Sequence, residues 1–79
     1  MKKSDIKVGH TYTNGSSVRL VIGEGSQYAW SRQEDWDCVR YRITEHKTRP
    51  REVGDEWNCT RRSFASWAKE IAPEQAEEQ

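Results

Sequence analysis

Apolar and polar positions fall into a strand-like alternation in two places along the chain and into a helix-like stripe in one. In residues 38–43, Val39, Tyr41 and Ile43 share one face and Cys38, Arg40 and Arg42 the other, the pattern of a half-buried strand with a basic outer side. Residues 18–22 are rich in β-branched side chains, and alternation puts Val18, Leu20 and Ile22 together on one face. Further along, Phe64, Trp67, Ala68 and Ile71 fall at i, i+3, i+4 and i+7, an apolar stripe at helical period. Thr60 is the expected N-cap of that helix, and Pro73 is expected to stop it near Ala72.

Turn-forming residues divide the rest. Asn14-Gly15, where both residues tolerate positive φ, joins an expected strand at residues 8–13 to the one at 18–22 as a hairpin. Gly23 and Gly25 end the second strand; residues 28–30 are expected to extend a strand and residues 31–35 to form a polar loop. Residues 45–55 are charged and contain Pro50 and Gly54, which reads as a long, mobile loop, and residues 56–59 read as one more short strand. Residues 1–8 form an exposed polar lead-in, and residues 73–79 a disordered acidic tail with no apolar stripe. The expectation is one α+β domain over residues 1–72: a small antiparallel sheet or half-barrel of three to five strands, capped by one C-terminal helix that seals it with Phe64 and Trp67.

Composition sharpens this picture. A chain of 79 residues holds one small domain at most, and only eleven positions are Phe, Ile, Leu or Val. Four Trp and three Tyr supply the missing buriable surface, at roughly 150–250 Å² each. No apolar stretch approaches the ~20 residues of a membrane span, and no apolar segment follows the charged start as a secretory signal requires. Cys38 and Cys59 then read as reduced thiols, and their spacing from His10 and His46 lacks the close pairs of a zinc site.

Charge cancels overall, 13 Lys and Arg against 13 Asp and Glu, but is segregated: residues 38–62 carry a net +3 and residues 63–79 a net −3. The basic stretch offers a phosphate-binding strip of Arg40, Arg42, Arg49 and Arg51, with aromatics nearby for stacking. Against that stands a sequence pI near 6.7, far below the >9 usual for nucleic-acid domains. Tyr28, Trp30 and Trp36 lie in a polar, poorly periodic stretch, where exposed aromatics act as interface anchors, though a core so poor in Leu and Ile has uses for every Trp. Trp36 and Trp57 are spaced like the pair of a proline-recognising WW module, but no proline follows Trp57 and a helix does. Neither His10 nor His46 has a nucleophile in a recognisable motif, and Gly23 and Gly25 precede no phosphate-receiving helix, so no catalytic residue and no cofactor is expected.

Val8-Gly9-His10-Thr11-Tyr12, Arg19-Leu20-Val21, Val39-Arg40-Tyr41, Cys59 and Phe64-Ala65-Ser66-Trp67-Ala68 follow one another in an order that resembles small proteins encoded by phages and prophages. The running pattern is V-G-x-x-Y, R-x-V, V-x-Y, C, F-A-x-W-A, across residues 8–71. The resemblance implies a compact sheet similar to Src-homology-3-type (SH3-like) small barrels, closed by the helix, in the cytoplasm of a bacterial host. It supplies no catalytic residue. The expected function is a non-enzymatic phage accessory protein that binds a host protein through Tyr28, Trp30, Trp36, Arg40 and Arg42, countering a host defence or redirecting a host enzyme. The alternatives are a nucleic-acid-binding barrel on Arg40, Arg42, Arg49 and Arg51, and a virion structural or assembly protein.

Overall fold

The computed structural model describes residues 1–29 and 36–72. Within them lie five strands and one helix: β1 (Thr11–Thr13), β2 (Ser17–Glu24), β3 (Cys38–His46), β4 (Glu56–Thr60), α1 (Arg61–Trp67) and β5 (Glu70–Ile71). Single 3₁₀ turns occupy Lys3–Asp5, Ser26–Tyr28 and Pro50–Glu52. The strands form one antiparallel sheet in the order β4-β3-β2-β1-β5. β1 to β4 is a simple meander. β5 then returns to the far side of β1, placing Ile71 opposite Tyr12.

The β1–β2 hairpin forms where Asn14-Gly15 predicts it, and side chains fix its turn. The Asn14 Oδ1 accepts from the amides of Ser16 at 2.9 Å and Ser17 at 3.1 Å, while the Thr13 hydroxyl donates to the Ser17 carbonyl at 2.8 Å. Gly15 supplies the positive φ of +98° that this geometry needs. The first strand begins at Thr11, not Val8, because Gly9 turns the chain with φ +92°. The ladder nonetheless reaches back over the turn: Gly9 N–H donates to Val21 O, and Val21 N–H to His10 O.

On β3 the alternation holds, with Val39, Tyr41 and Ile43 all buried. On β2 the faces are the reverse of the sequence expectation. Arg19 pairs with Ile43 and Val21 with Tyr41, and paired residues share a face, so Arg19 and Val21 look into the core. Val18, Leu20 and Ile22 are half-buried on the other side. The local pattern favours Val18, Leu20 and Ile22 over Arg19 and Val21, but register against β3 overrides it, and a one-residue slip exchanges the two faces. Irregular pairing between Val18 and Arg19, and again between Val21 and Gly23, sets that register.

α1 starts where expected, the Thr60 hydroxyl accepting from the Ser63 amide at 3.0 Å. It ends at Trp67, short of the Ala72 limit that Pro73 implied. The reason is tertiary. The Lys69 and Ala72 amides donate to the Thr13 and Thr11 carbonyls, each at 2.9 Å, so the edge of β1 captures the chain as β5 and a strand, not the helix, is the last element described. Phe64 and Ala68 are buried and Trp67 half-buried, while Ile71, the fourth residue of the stripe, is 55% exposed on β5.

The remaining differences have similar causes. Residues 1–8 are not wholly a polar lead-in: Ile6 is fully buried, and the buried Tyr12 hydroxyl donates to Asp5 O at 2.5 Å and accepts from the Lys7 amide at 2.9 Å. Tyr28 belongs to a 3₁₀ turn and not to a strand. In residues 45–55, β3 continues through His46, and the connection is pinned where the Ile43 amide donates to Asp55 O at 2.9 Å and the Gly54 amide to Ile43 O at 2.7 Å. The core is Ile6, Tyr12, Val21, Val39, Tyr41, Ile43, Phe64, Ala65 and Ala68. The polar loop at 31–35 and the tail at 73–79 lie outside the described residues.

Candidate functional site

The expected interface residues separate once placed on the fold. Trp36, two residues before β3, is 53% exposed. Tyr28 is half-buried against Gly23, where a Cβ would stand 2.7 Å from the tyrosine hydroxyl; that glycine leaves the space the ring fills. Trp30 lies outside the described residues. Arg40 and Arg42 lie on the outer face of β3, as alternation predicts, but they are engaged there. The Glu56 carboxylate, opposite on β4, bridges both: Arg42 Nε donates to one oxygen at 2.9 Å, and Arg40 Nη2 to the other at 3.2 Å. Arg40 Nη1 also donates to Asn58 Oδ1 at 2.6 Å. Hydrogen bonds from Arg42 and then Arg40 hold the Glu56 carboxyl below the ordinary carboxylate range.

Arg49 and Arg51 lie in the turn between β3 and β4, both exposed. Arg49 meets Glu52 at 3.4 Å, and the other Glu52 oxygen faces His46 Nε2 at 3.7 Å. His46 Nδ1 accepts from the Arg49 amide at 3.1 Å. Arg61, counted in the basic stretch, is a structural clamp. Its Nε donates to Asp37 at 2.9 Å, and its other nitrogens reach the Ile6 carbonyl and the Glu24 carboxylate, tying together residues before β1, the end of β2 and the approach to β3. Burial alone would lower the Arg61 pKa; the hydrogen bonds to Asp37 and Glu24 reverse that and leave it raised. Arginines written as one basic strip in the sequence thus have carboxylate partners at Arg40, Arg42, Arg49 and Arg61.

Two residues outside the expected set stand out. Trp57 lies opposite Tyr41 on edge strand β4, hence on the inner face, yet it is 54% exposed. Arg19 lies on that same inner face with its guanidinium carbon 3.9 Å from the Trp67 ring centroid and 4.5 Å from that of Tyr41. The sequence signal for Arg19 was present: one charge inside an otherwise apolar run. For Trp57 there was none, since exposure on an edge strand depends on tertiary packing.

Among the described residues, no disulfide joins Cys38 and Cys59, which lie on paired strands but on opposite faces. Burial pushes the Cys59 thiol up to about 11, far from a reactive thiolate. No group of three His, Cys, Asp or Glu among the described residues is placed to hold a metal. A hollow of about 140 Å³ lies by the β1–β2 turn, bounded by Thr13, Ser16, Val18, Glu45, His46 and Lys47; small-molecule sites more often run about 300–1,000 Å³. Among the described residues, no helix is long and apolar enough to cross a membrane. No family model matches the chain, and no curated protein or solved structure matches it, so the geometry of the exposed aromatics and arginines carries the functional reading.

Proposed function

We propose that this chain is a non-enzymatic accessory protein of phage type that binds a protein of the bacterial host, and that its sheet and helix are an SH3-like half-barrel serving as the scaffold. The observation that carries this is the exposure of Trp36 and Trp57, 53% and 54%, in a chain with only eleven Phe, Ile, Leu and Val residues. A protein so short of core-forming side chains forfeits much stabilisation by leaving two tryptophans in water, and exposed Trp beside Arg is the usual anchor chemistry of protein interfaces. The strand order supports the half-barrel: the chain leaves one edge strand, crosses as α1, and pairs with the opposite edge, which favours a curled sheet. The shared carboxylate makes the nucleic-acid reading weaker, since a phosphate would have to displace Glu56 from both Arg40 and Arg42.

The test compares cross-linked partners recovered from bacterial lysate by the parent, Trp36→Ala and Trp57→Ala, each checked for an unchanged fold by circular dichroism. A specific host protein captured by the parent and lost with either variant is expected. Equal recovery by all three overturns the reading. So does binding to DNA or RNA that weakens by ~0.7–0.9 in log K per phosphate contacted as log salt rises, and that is lost on Arg42→Ala.

A further inference from the structure

The inner face of the sheet is only partly covered. Phe64, the central side chain of α1, meets Tyr12 edge-to-face and Tyr41 at a tilt, with ring centroids 5.5 Å from each, and Trp67 lies 5.3 Å from Phe64. Beyond them Trp57 stands open to solvent on β4. Arg19 reaches into this stretch between the Trp67 and Tyr41 rings. Its Nε is buried and has no hydrogen-bond partner among the described residues. Burial lowers its pKa, so the ring stacking does not fully replace the water that the cation has lost. Arg40, Arg42, Arg49 and Arg61 each have a carboxylate within 3.4 Å. Arg19 has none among the described residues; Glu52, which acts on it only from a distance, is taken by Arg49.

A guanidinium stacked on aromatic faces keeps its in-plane N–H donors for an acceptor, and that planar fork matches a carboxylate better than any other common anion on a protein. The open indole of Trp57 on the same face would receive an apolar side chain. We propose that Arg19, stacked on Trp67 and Tyr41 on the sheet face that also carries the open Trp57, is the docking point for an acidic segment of a partner protein in which a carboxylate lies next to an aromatic or aliphatic residue. The proposal rests on the protein-binding reading and names the partner's chemistry: the fixed, uncompensated positive charge selects an acidic chain, and the uncovered tryptophan selects an apolar neighbour to that charge.

The experiment is an NMR titration of the whole chain with two capped peptides, Ac-Asp-Phe-Glu-Leu-NH₂ and its isosteric neutral counterpart Ac-Asn-Phe-Gln-Leu-NH₂. The indole N–H signals of Trp36, Trp57 and Trp67 and the Arg19 Nε–H are followed. The acidic peptide should bind about tenfold tighter or more, as a charge-assisted hydrogen bond made in a desolvated setting requires, and should move Trp57, Trp67 and Arg19 together. Arg19→Gln should abolish the preference for the acidic peptide. Trp57→Ala, an exposed position at which folding is not at stake, should weaken the acidic peptide several-fold. Equal affinity for the two peptides, a response at Trp36 alone, or no response at millimolar peptide overturns the proposal. None of these three outcomes touches the protein-binding reading itself, which the lysate comparison decides.

Discussion

At the scale of single residues, Phe64 and Trp67 look interchangeable in the sequence, two aromatics on one helical stripe. The structure ranks them. Phe64 is fully buried among three rings, whereas Trp67 is half-buried with one face spent on Arg19. Truncating a buried Phe costs ~3–5 kcal/mol, against a total of ~4–8 kcal/mol for a domain of this length at 0.05–0.1 kcal/mol per residue. Phe64→Ala is therefore expected to lose most of its cooperative thermal transition, while Trp67→Ala melts lower than the parent but remains folded. A Phe64→Ala melt within a few degrees of the parent would remove Phe64 from the centre of the core. Membership of the stripe was legible because helical spacing is local; the ranking was not, because burial depends on Tyr12 and Tyr41, which other strands supply. Arg19 shows the same limit from the polar side. Its charge inside an apolar run was visible, but its stacking on Trp67 joins β2 to the last turn of α1.

At the scale of elements, the hairpin turn and the helix start, specified by neighbouring residues, formed as read, while three features specified by distant pairing did not. Asn14, Gly15 and Thr60 act within three residues of themselves, and the hairpin and the helix start are where the sequence puts them. The inner face of β2, the end of α1 and the existence of β5 are all decided by hydrogen bonds to another strand, and each departed from its local pattern. The site follows the same division. The Arg40–Arg42 face follows from alternation, and Trp36 is read from the sequence as either core or interface, but Glu56 as the shared partner of the two arginines and Trp57 as an exposed inner-face residue depend on the β3–β4 register. The cap offers a direct check. Thr60→Ala removes the acceptor for the Ser63 amide and should destabilise the chain by about 0.5–2 kcal/mol. In urea this appears as a lower midpoint at unchanged m-value; an unchanged midpoint would show that α1 is held by its packing alone.

At the scale of the whole molecule, the Arg61 clamp and the Glu56 bridge make folding sensitive to acid. The hydrogen bond from Arg61 holds the Asp37 carboxyl below its usual range, and Arg42 and Arg40 do the same for Glu56. Both carboxyls therefore bind protons more weakly in the folded chain than in the unfolded one. Their stabilising contribution is present above the unfolded values, about 3.9 for Asp and 4.3 for Glu, and is lost as pH falls through the lower folded values. Because both groups are solvent-accessible, the effect is modest and weakens with salt. The melting temperature should be flat from pH 7 to about 5 and fall below about pH 4, and Arg61→Gln should blunt that fall. A parent curve with the same acid slope as Arg61→Gln would show that the Asp37 pair carries no folding free energy.

The return of β5 to β1 has a kinetic consequence. The Tyr12–Ile71 pairing joins positions at opposite ends of the described chain, with the whole meander and the helix between them. Such a contact returns nothing until the entropy of closing that large loop has been met. The hairpin and β3 can assemble first, from neighbours in sequence; β5, two residues long and attached through the Lys69 and Ala72 amides, is expected to close last and to open first, as native-state amide exchange of Lys69 and Ala72 would report. In the interval β1 is a bare edge, with the Thr11 and Thr13 carbonyls seeking any donor. The folding time of this protein is thus also the time for which it is exposed to pairing with the wrong strand.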